Sequence, residues 1–291
     1  LFDKCLKQSA IDTHKNSAKG EISDMSGLFA GFYSILSWIG SIVDPFCGPV
    51  GVFTWLAPGT LLACGDTGWG DDIAHGFVIT ASLAIATLPV GLLIGFFIAL
   101  GKQSEERTVR LASNIYTTIF RGLPELLTLF IVYYGLQILV QQLLASLGYD
   151  GPVEINAFFA GMIALGVVFS AYCSEVLLSA FKAIPHGQYE AGDALGLHRG
   201  RTMRLIILPQ LVRIALPGFG NLWMALLKDT ALVSVVGLTD ILRQTGIAAR
   251  VTKQAFEFYG VACVLFLILA MISSIVFSYI ERRTKRAEMG R

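Results

Sequence analysis

Residues 77–100 form a run of 24 without a single charged side chain. A helix needs roughly 20 residues at 1.5 Å each to cross the hydrocarbon core of a bilayer, so this run constrains the fold more than any other feature. Four more stretches share its character: 126–146, apolar apart from Gln137, Gln141 and Gln142; 157–180, interrupted by Glu175; 216–237, which holds Lys228 and Asp229; and 258–280, uncharged. The expected fold is an all-α integral membrane protein of about five core transmembrane helices. Composition agrees, with 54% apolar and 15% charged residues and a mean hydropathy of +0.65, where a soluble domain carries about 25% charge. A net charge of +1 leaves no basic footprint for a nucleic acid.

Basic residues set the expected orientation, because cytoplasmic loops are enriched in lysine and arginine. Lys102, Arg107 and Arg110 follow the first run; Lys182, Arg199, Arg201, Arg204 and Arg213 follow the third; Arg282, Arg283, Lys285, Arg286 and Arg291 follow the last. Residues 147–156 carry Asp150 and Glu154 and no basic residue. The C-terminus and the segment after the third run are therefore expected in the cytoplasm and the N-terminus in the periplasm. The loop with Arg243, Arg250 and Lys253 falls outside, a mild exception.

Residues 1–75 read as a polar tail, an interfacial helix over 28–43 and an outer loop broken by Pro45, Pro49 and Pro58, with an extra span over 28–64 as the alternative. The first 24 residues, ahead of Met25, are expected to be upstream sequence read through from a mis-set start. Residues 76–286 form the transmembrane domain and 287–291 a short cytoplasmic tail. Cys47 and Cys64 could pair in an oxidising periplasm, although apolar surroundings also suit free cysteine. The histidines, His14, His75, His186 and His198, have no metal-ligand spacing, and GxxxxGK[ST] is absent. No metal or nucleotide site is expected.

Between the third and fourth runs lies Glu190-Ala191-Gly192-Asp193-Ala194-Leu195-Gly196, with Ile207-Leu208-Pro209 downstream. Pro185 ends the preceding helix, residues 188–195 suffice for about two turns, and Gly196 suits the left-handed position that closes a helix. A second helix is expected over 199–208, with Pro209 and Pro217 marking re-entry into the membrane. This is a knob on the membrane surface, with Ala191, Gly192 and Ala194 giving a smooth ridge. Read from the residues alone, it is either a docking element or an ordinary amphipathic surface helix.

The pattern EAxxALG followed by I-x-LP resembles the cytoplasmic coupling motif of permease subunits of bacterial ATP-binding-cassette importers. Arg121-Gly122-Leu123-Pro124-Glu125-Leu126-Leu127 resembles the RGxPxLL segment of the polar amino-acid branch, Ala171-Tyr172 with Glu175 its AYxxE, and Leu227-Lys228-Asp229-Thr230-Ala231-Leu232-Val233-Ser234 its LKxTxLVS. The resemblance covers about residues 66–286 and is nearest to subunits for histidine, lysine, arginine, ornithine and opines. It implies a bacterial inner-membrane permease that pairs with a second, usually different permease. Two ATPase subunits dock on 187–209 and bind the ATP, and a periplasmic binding protein delivers the amino acid. The chain itself is expected to hold no cofactor. Glu190, Ala191, Gly192, Ala194, Leu195 and Gly196 would meet the ATPase, and Pro89, Pro124 and Pro217 offer kinks for the bundle to rock about.

An ionisable group at membrane depth pairs with another or lines a wet pathway. Lys228, eleven residues past Pro217 and so roughly 16 Å deeper, could with Asp229 hold an amino acid's carboxylate and amine. Glu175 could receive a cationic side chain. Thr230, Ser234, Tyr172, Asn221 and Trp223 are further candidates for the pathway wall. Arg121 and Glu125, four apart, are expected to pair on one helix, with Gly122 and Pro124 as structural residues. Two departures from the family pattern matter. Gly192 replaces the usual alanine, and Leu178 and Ser179 replace an arginine and glycine after Glu175. The second leaves Glu175 freer to meet a cation and tilts the reading toward basic amino acids, ahead of glutamine or glutamate. The rival classes are a membrane enzyme using Glu175 and Asp229 as acid and base, and a channel or sensor-coupled regulator.

Overall fold

The computed structural model describes residues 61–64, 68–148 and 155–289, with side chains through 284. The interfacial helix expected over 28–43, Cys47, Asp150 and Glu154 lie outside the described residues. Cys64 is disulfide-bonded; Cys173 and Cys263 are free thiols.

Among the described residues all regular structure is helical. The order is α1 (Gly70–Lys102), α2 (Arg107–Gly122), α3 (Glu125–Ser146), α4 (Ala157–Ala183), α5 (Gly187–Ala194), α6 (Arg199–Thr202), a π turn (Met203–Ile207), α7 (Leu208–Asp229), a 3-10 segment (Thr230–Val236), α8 (Ile241–Thr252) and α9 (Ala255–Met289). Among the described residues five segments are long and apolar enough to cross a membrane: Gly70–Lys102, Glu125–Ser146, Ala157–Ala183, Arg199–Val236 and Ala255–Thr284. They contain the five runs expected from sequence, except that the fourth stops at Val236, one residue short of its run. The fourth has 38 residues, nearly twice what a bilayer core requires. Its arginine-bearing first turns, with Arg199, Arg201 and Arg204, therefore extend past the apolar core.

Proline sets one break that the hydropathy pattern hides. Pro124 pushes Leu123 into an extended conformation (φ −88°, ψ 142°) and itself caps α3, because the ring of a proline excludes helical geometry from the residue before it. Arg121 and Glu125 thus fall on different helices, and the pair expected between them does not form. Arg121 bonds elsewhere. The segment that carries Arg107 and Arg110, counted from sequence among the basic loops, is helical over Arg107–Gly122.

The described residues group into two compact units. One contains Val233–Phe266 and the start of α1. There the segment with Arg243 and Arg250, expected as a loop, forms α8. Asp240 caps it, with Oδ1 accepting the Arg243 backbone N–H at 2.9 Å. Thr80, fully buried in α1, accepts the Ile241 N–H at 3.2 Å and donates to the Gly76 carbonyl at 2.9 Å. Arg243 Nη1 donates to the Ser234 carbonyl at 3.2 Å. Asp240 Oδ2 and Arg243 Nε find no hydrogen-bond partner among the described residues.

Burial of Asp240 pushes its carboxyl from 3.8 up to about 6, against the pull of the backbone N–H bonds and Arg243. The folded state then holds the proton more tightly than the unfolded one. Its contribution to stability is full below about pH 4, is lost as pH rises through 6, and amounts to at most about 3 kcal/mol. Asp240→Asn keeps an acceptor for the cap and removes the charge. Its melting temperature should match wild type near pH 4 and exceed it by several degrees at pH 7; parallel curves across that range would contradict this account of Asp240.

The other unit contains, of the described residues, 83–148, Ile155, 159–232 and 267–289. Its centre is α4, whose apolar stretch is mostly buried, whereas α3 is mostly exposed and left to face lipid or another chain. Gly91 and Gly95 of α1 lie against Phe169, Ser170 and Cys173 of α4, the close approach that small residues permit between membrane helices. Ala99, Leu177, Ala180, Phe181, Ile184, Ile207, Leu211 and Ala215 form a buried cluster, with Tyr189 of α5 packed on it. The short helix α5 is thereby held to the ends of α1, α4 and α7.

Candidate functional site

Two groups of residues in this second unit have more polar structure than packing requires. The first is the knob. Helix α5 ends in a Schellman motif: the Leu197 N–H bonds the Gly192 carbonyl at 3.0 Å and the Gly196 N–H bonds that of Asp193 at 2.9 Å. Gly196 has φ +68°, a region glycine enters without steric cost. Glu190, Ala191, Ala194, Leu195 and Gly196 are all exposed, including a leucine side chain at 74%. Glu190 Oε1 lies 3.3 Å from His186 Nδ1, and both side chains are open to solvent.

Gly192 is buried beneath this face. A Cβ there would come within 2.5 Å of Thr202 Cγ2 and 2.6 Å of its Oγ1, so Thr202 fills the space that the family's usual alanine would take. Gly192→Ala should cost about 1–2 kcal/mol through overpacking, and Gly192→Ala with Thr202→Ala should recover most of it. Thermal unfolding of the purified variants measures both, and a single variant as stable as wild type would contradict the packing argument.

The helix expected over 199–208 is not a separate element. It runs through the π turn into α7, with Leu208 N–H bonded to the Met203 carbonyl five residues back. Pro209 does not end it: it sits in the first turn of α7, where a missing N–H is tolerated.

The second group is an ion triad. Lys102 Nζ and Arg121 Nη1 both bond Glu175 Oε1, at 2.6 and 2.9 Å. The Lys102 side chain is only 4% exposed, and the Arg121 guanidinium sits 5.6 Å from the centre of the Tyr172 ring. Beside it, Tyr116 hydroxyl lies 2.8 Å from Ser170 Oγ and donates to the Val167 carbonyl at 3.1 Å. Glu175 is therefore not left free to meet a cation by the loss of the family arginine, as its sequence context suggests. Lys102 and Arg121 already occupy it.

The remaining pathway candidates are dispersed along α7 and the 3-10 segment. Lys228 is exposed and Asp229 half-buried. Thr230, fully buried, marks the change from α to 3-10 winding and donates to the Leu227 carbonyl at 2.7 Å. Ser234 lies further along that segment and is half-buried. Trp223 is buried against Phe277, with ring centres 6.2 Å apart, which is a packing role. Asn221 lines an open cleft with Pro217, Ser274 and Ser278. Gly122 and Pro124 form the break between α2 and α3.

Residues 91–286 match the model of the family described as binding-protein-dependent transport system inner membrane component. The chain belongs to this family. The nopaline transport system permease protein NocQ of Agrobacterium fabrum is 40% identical over 228 residues, 78% of this chain and 97% of the relative. The histidine/lysine/arginine/ornithine transport system permease protein HisQ of Escherichia coli is 38% identical over 226 residues, covering 76% and 99%. A chain from the crystal structure of an amino acid ABC transporter with histidines superposes with a TM-score of 0.62 at 33% identity, over 74% of this chain and 95% of that one. This permease is thus a multi-pass inner-membrane transport component rather than an enzyme, which removes the acid–base reading of Glu175 and Asp229. A binding-protein-dependent permease of the ABC class works with an ATP-binding subunit and a binding protein.

Sequence reasoning missed Lys102, which it counted among loop cations. A lysine closing one apolar run and a glutamate within another were the available signals.

Proposed function

We propose that this permease carries a basic amino acid or an opine across the inner membrane, together with a second and different permease subunit. The relatives named for nopaline and for histidine, lysine, arginine and ornithine support that cargo; the charge of Glu175 does not, because it is already taken up. Two ATPase subunits dock on the 187–209 segment, with Glu190, Ala191, Ala194, Leu195 and Gly196 as the contact surface and Gly192 shaping it from beneath. The observation that carries this reading is the exposed, rigidly capped face of α5, seated on the buried ends of α1, α4 and α7. A rigid body so placed transfers a push from the ATPase to three spans at once. The positive charge after the first, third and last apolar runs favours a cytoplasmic C-terminus and an N-terminus outside, so that a periplasmic binding protein meets the opposite side. Lys228, Asp229 and Thr230, where α7 changes winding, with Ser234 and Asn221, are the polar groups along the pathway; Tyr172 orients Arg121 in the triad.

Uptake of radiolabelled arginine, histidine, glutamine and glutamate in wild-type and deletion strains tests the cargo. Arginine or histidine uptake should fall in the deletion and return with the gene. Unchanged uptake of both would defeat the basic amino-acid reading.

A further inference from the structure

The start of α7 combines three features that docking alone leaves unused. Pro209 has no N–H to give the Leu205 carbonyl, so one rung of the helix ladder is missing. The turn before it, Met203–Ile207, is wound as π, a form that occurs mostly as single turns at functional positions. Just past it, Gln210 Nε2 donates to the Ile206 carbonyl at 3.1 Å and to Gln188 Oε1 of α5 at 3.2 Å. A primary amide has two N–H donors, so both bonds form together.

We propose that the Gln188–Gln210 hydrogen bond is a strut that carries displacement of α5 into the fourth span, with the π turn as the yielding joint. The inference rests on the reading that α5 docks the ATPase. The covalent route from α5 to α7 passes through the left-handed turn at Gly196. The Tyr189 contact with the core cluster and the Gly192–Thr202 contact are apolar or steric, and such packing resists compression but is not directional. A hydrogen bond fixes distance and direction together. Through Gln210 that constraint reaches Ile206, inside the widened turn. A pull on Gln188 is therefore delivered to the turn where the helix is wound as π and its ladder lacks the Pro209 rung. Gln188 and Gln210 are positioning residues here, touching neither cargo nor nucleotide.

The test uses the whole transporter in proteoliposomes, with its ATPase subunits and binding protein. Gln210→Met keeps the side-chain length and removes both donors. It should assemble with wild-type amounts of ATPase and hydrolyse ATP at the wild-type basal rate. The amount of cargo moved per ATP should fall about fivefold, the equivalent of one ordinary hydrogen bond. Gln188→Met should show the same loss of coupling, and the double variant should be no worse than Gln210→Met, because both changes delete one shared bond. Wild-type cargo per ATP in a monodisperse Gln210→Met complex overturns the strut and leaves docking intact, as do additive losses in the double variant. Failure of the docking reading looks different: Glu190→Lys complexes would keep their ATPase, and both ideas would fall.

Discussion

Glu175→Ala should destabilise the permease far more than Lys102→Met, although the two residues share one ion pair. Removing the carboxylate strands Lys102, whose side chain is 4% exposed, and an uncompensated buried charge costs about 3–5 kcal/mol. Removing the lysine leaves Glu175 bonded to Arg121 at 2.9 Å with a third of its side chain exposed, so the expected loss is about 1 kcal/mol. For a chain of this size the difference corresponds to roughly 5 °C in melting temperature. Glu175→Gln keeps an acceptor for Lys102 and should fall between the two. Thermal unfolding of the detergent-purified variants gives the order directly. Equal losses for Glu175→Ala and Lys102→Met would mean that the lysine is solvated and the triad is not a buried network.

Glu190→Lys should abolish uptake while the permease still inserts and folds. The side chain is 73% exposed and its polar contact among the described residues is His186, just ahead of α5, so nothing described in the fold depends on its sign. An ATPase groove that accepts the carboxylate would meet a reversed charge, at a cost of about 2–5 kcal/mol in binding and so at least about thirtyfold in affinity. Gly196→Val should weaken retention of the ATPase by another route. A β-branched residue at φ +68° is strained, and the Schellman bonds that fix the end of α5 would loosen. Uptake assays paired with co-purification of the ATPase read both variants; uptake that survives both changes would remove the docking role.

Much of this architecture was legible because its causes are local. Length and apolarity alone identify the five spans, and Gly196 announced the end of α5 because a left-handed residue is needed wherever a helix stops this way. The contacts that give the site its character were not local. Lys102 and Glu175 are 73 residues apart in sequence, and neither run hints at the other. Most of helix α2 hid inside a segment whose Arg107 and Arg110 were read for their charge. The expected Arg121–Glu125 pair failed because the spacing rule presumes one continuous helix, and Pro124 interrupts it. Gly192 looked like a weaker alanine until Thr202 was found in the space beyond it.

The central claim is that the exposed face of α5 is where the ATPase engages this permease. Photo-crosslinking from a benzophenone side chain at position 194, with position 250 on α8 as the comparison, tests it most directly in the assembled transporter. The account predicts a covalent adduct of permease and ATP-binding subunit from position 194 and none from position 250. No adduct from 194, or an ATPase adduct from 250, would contradict it.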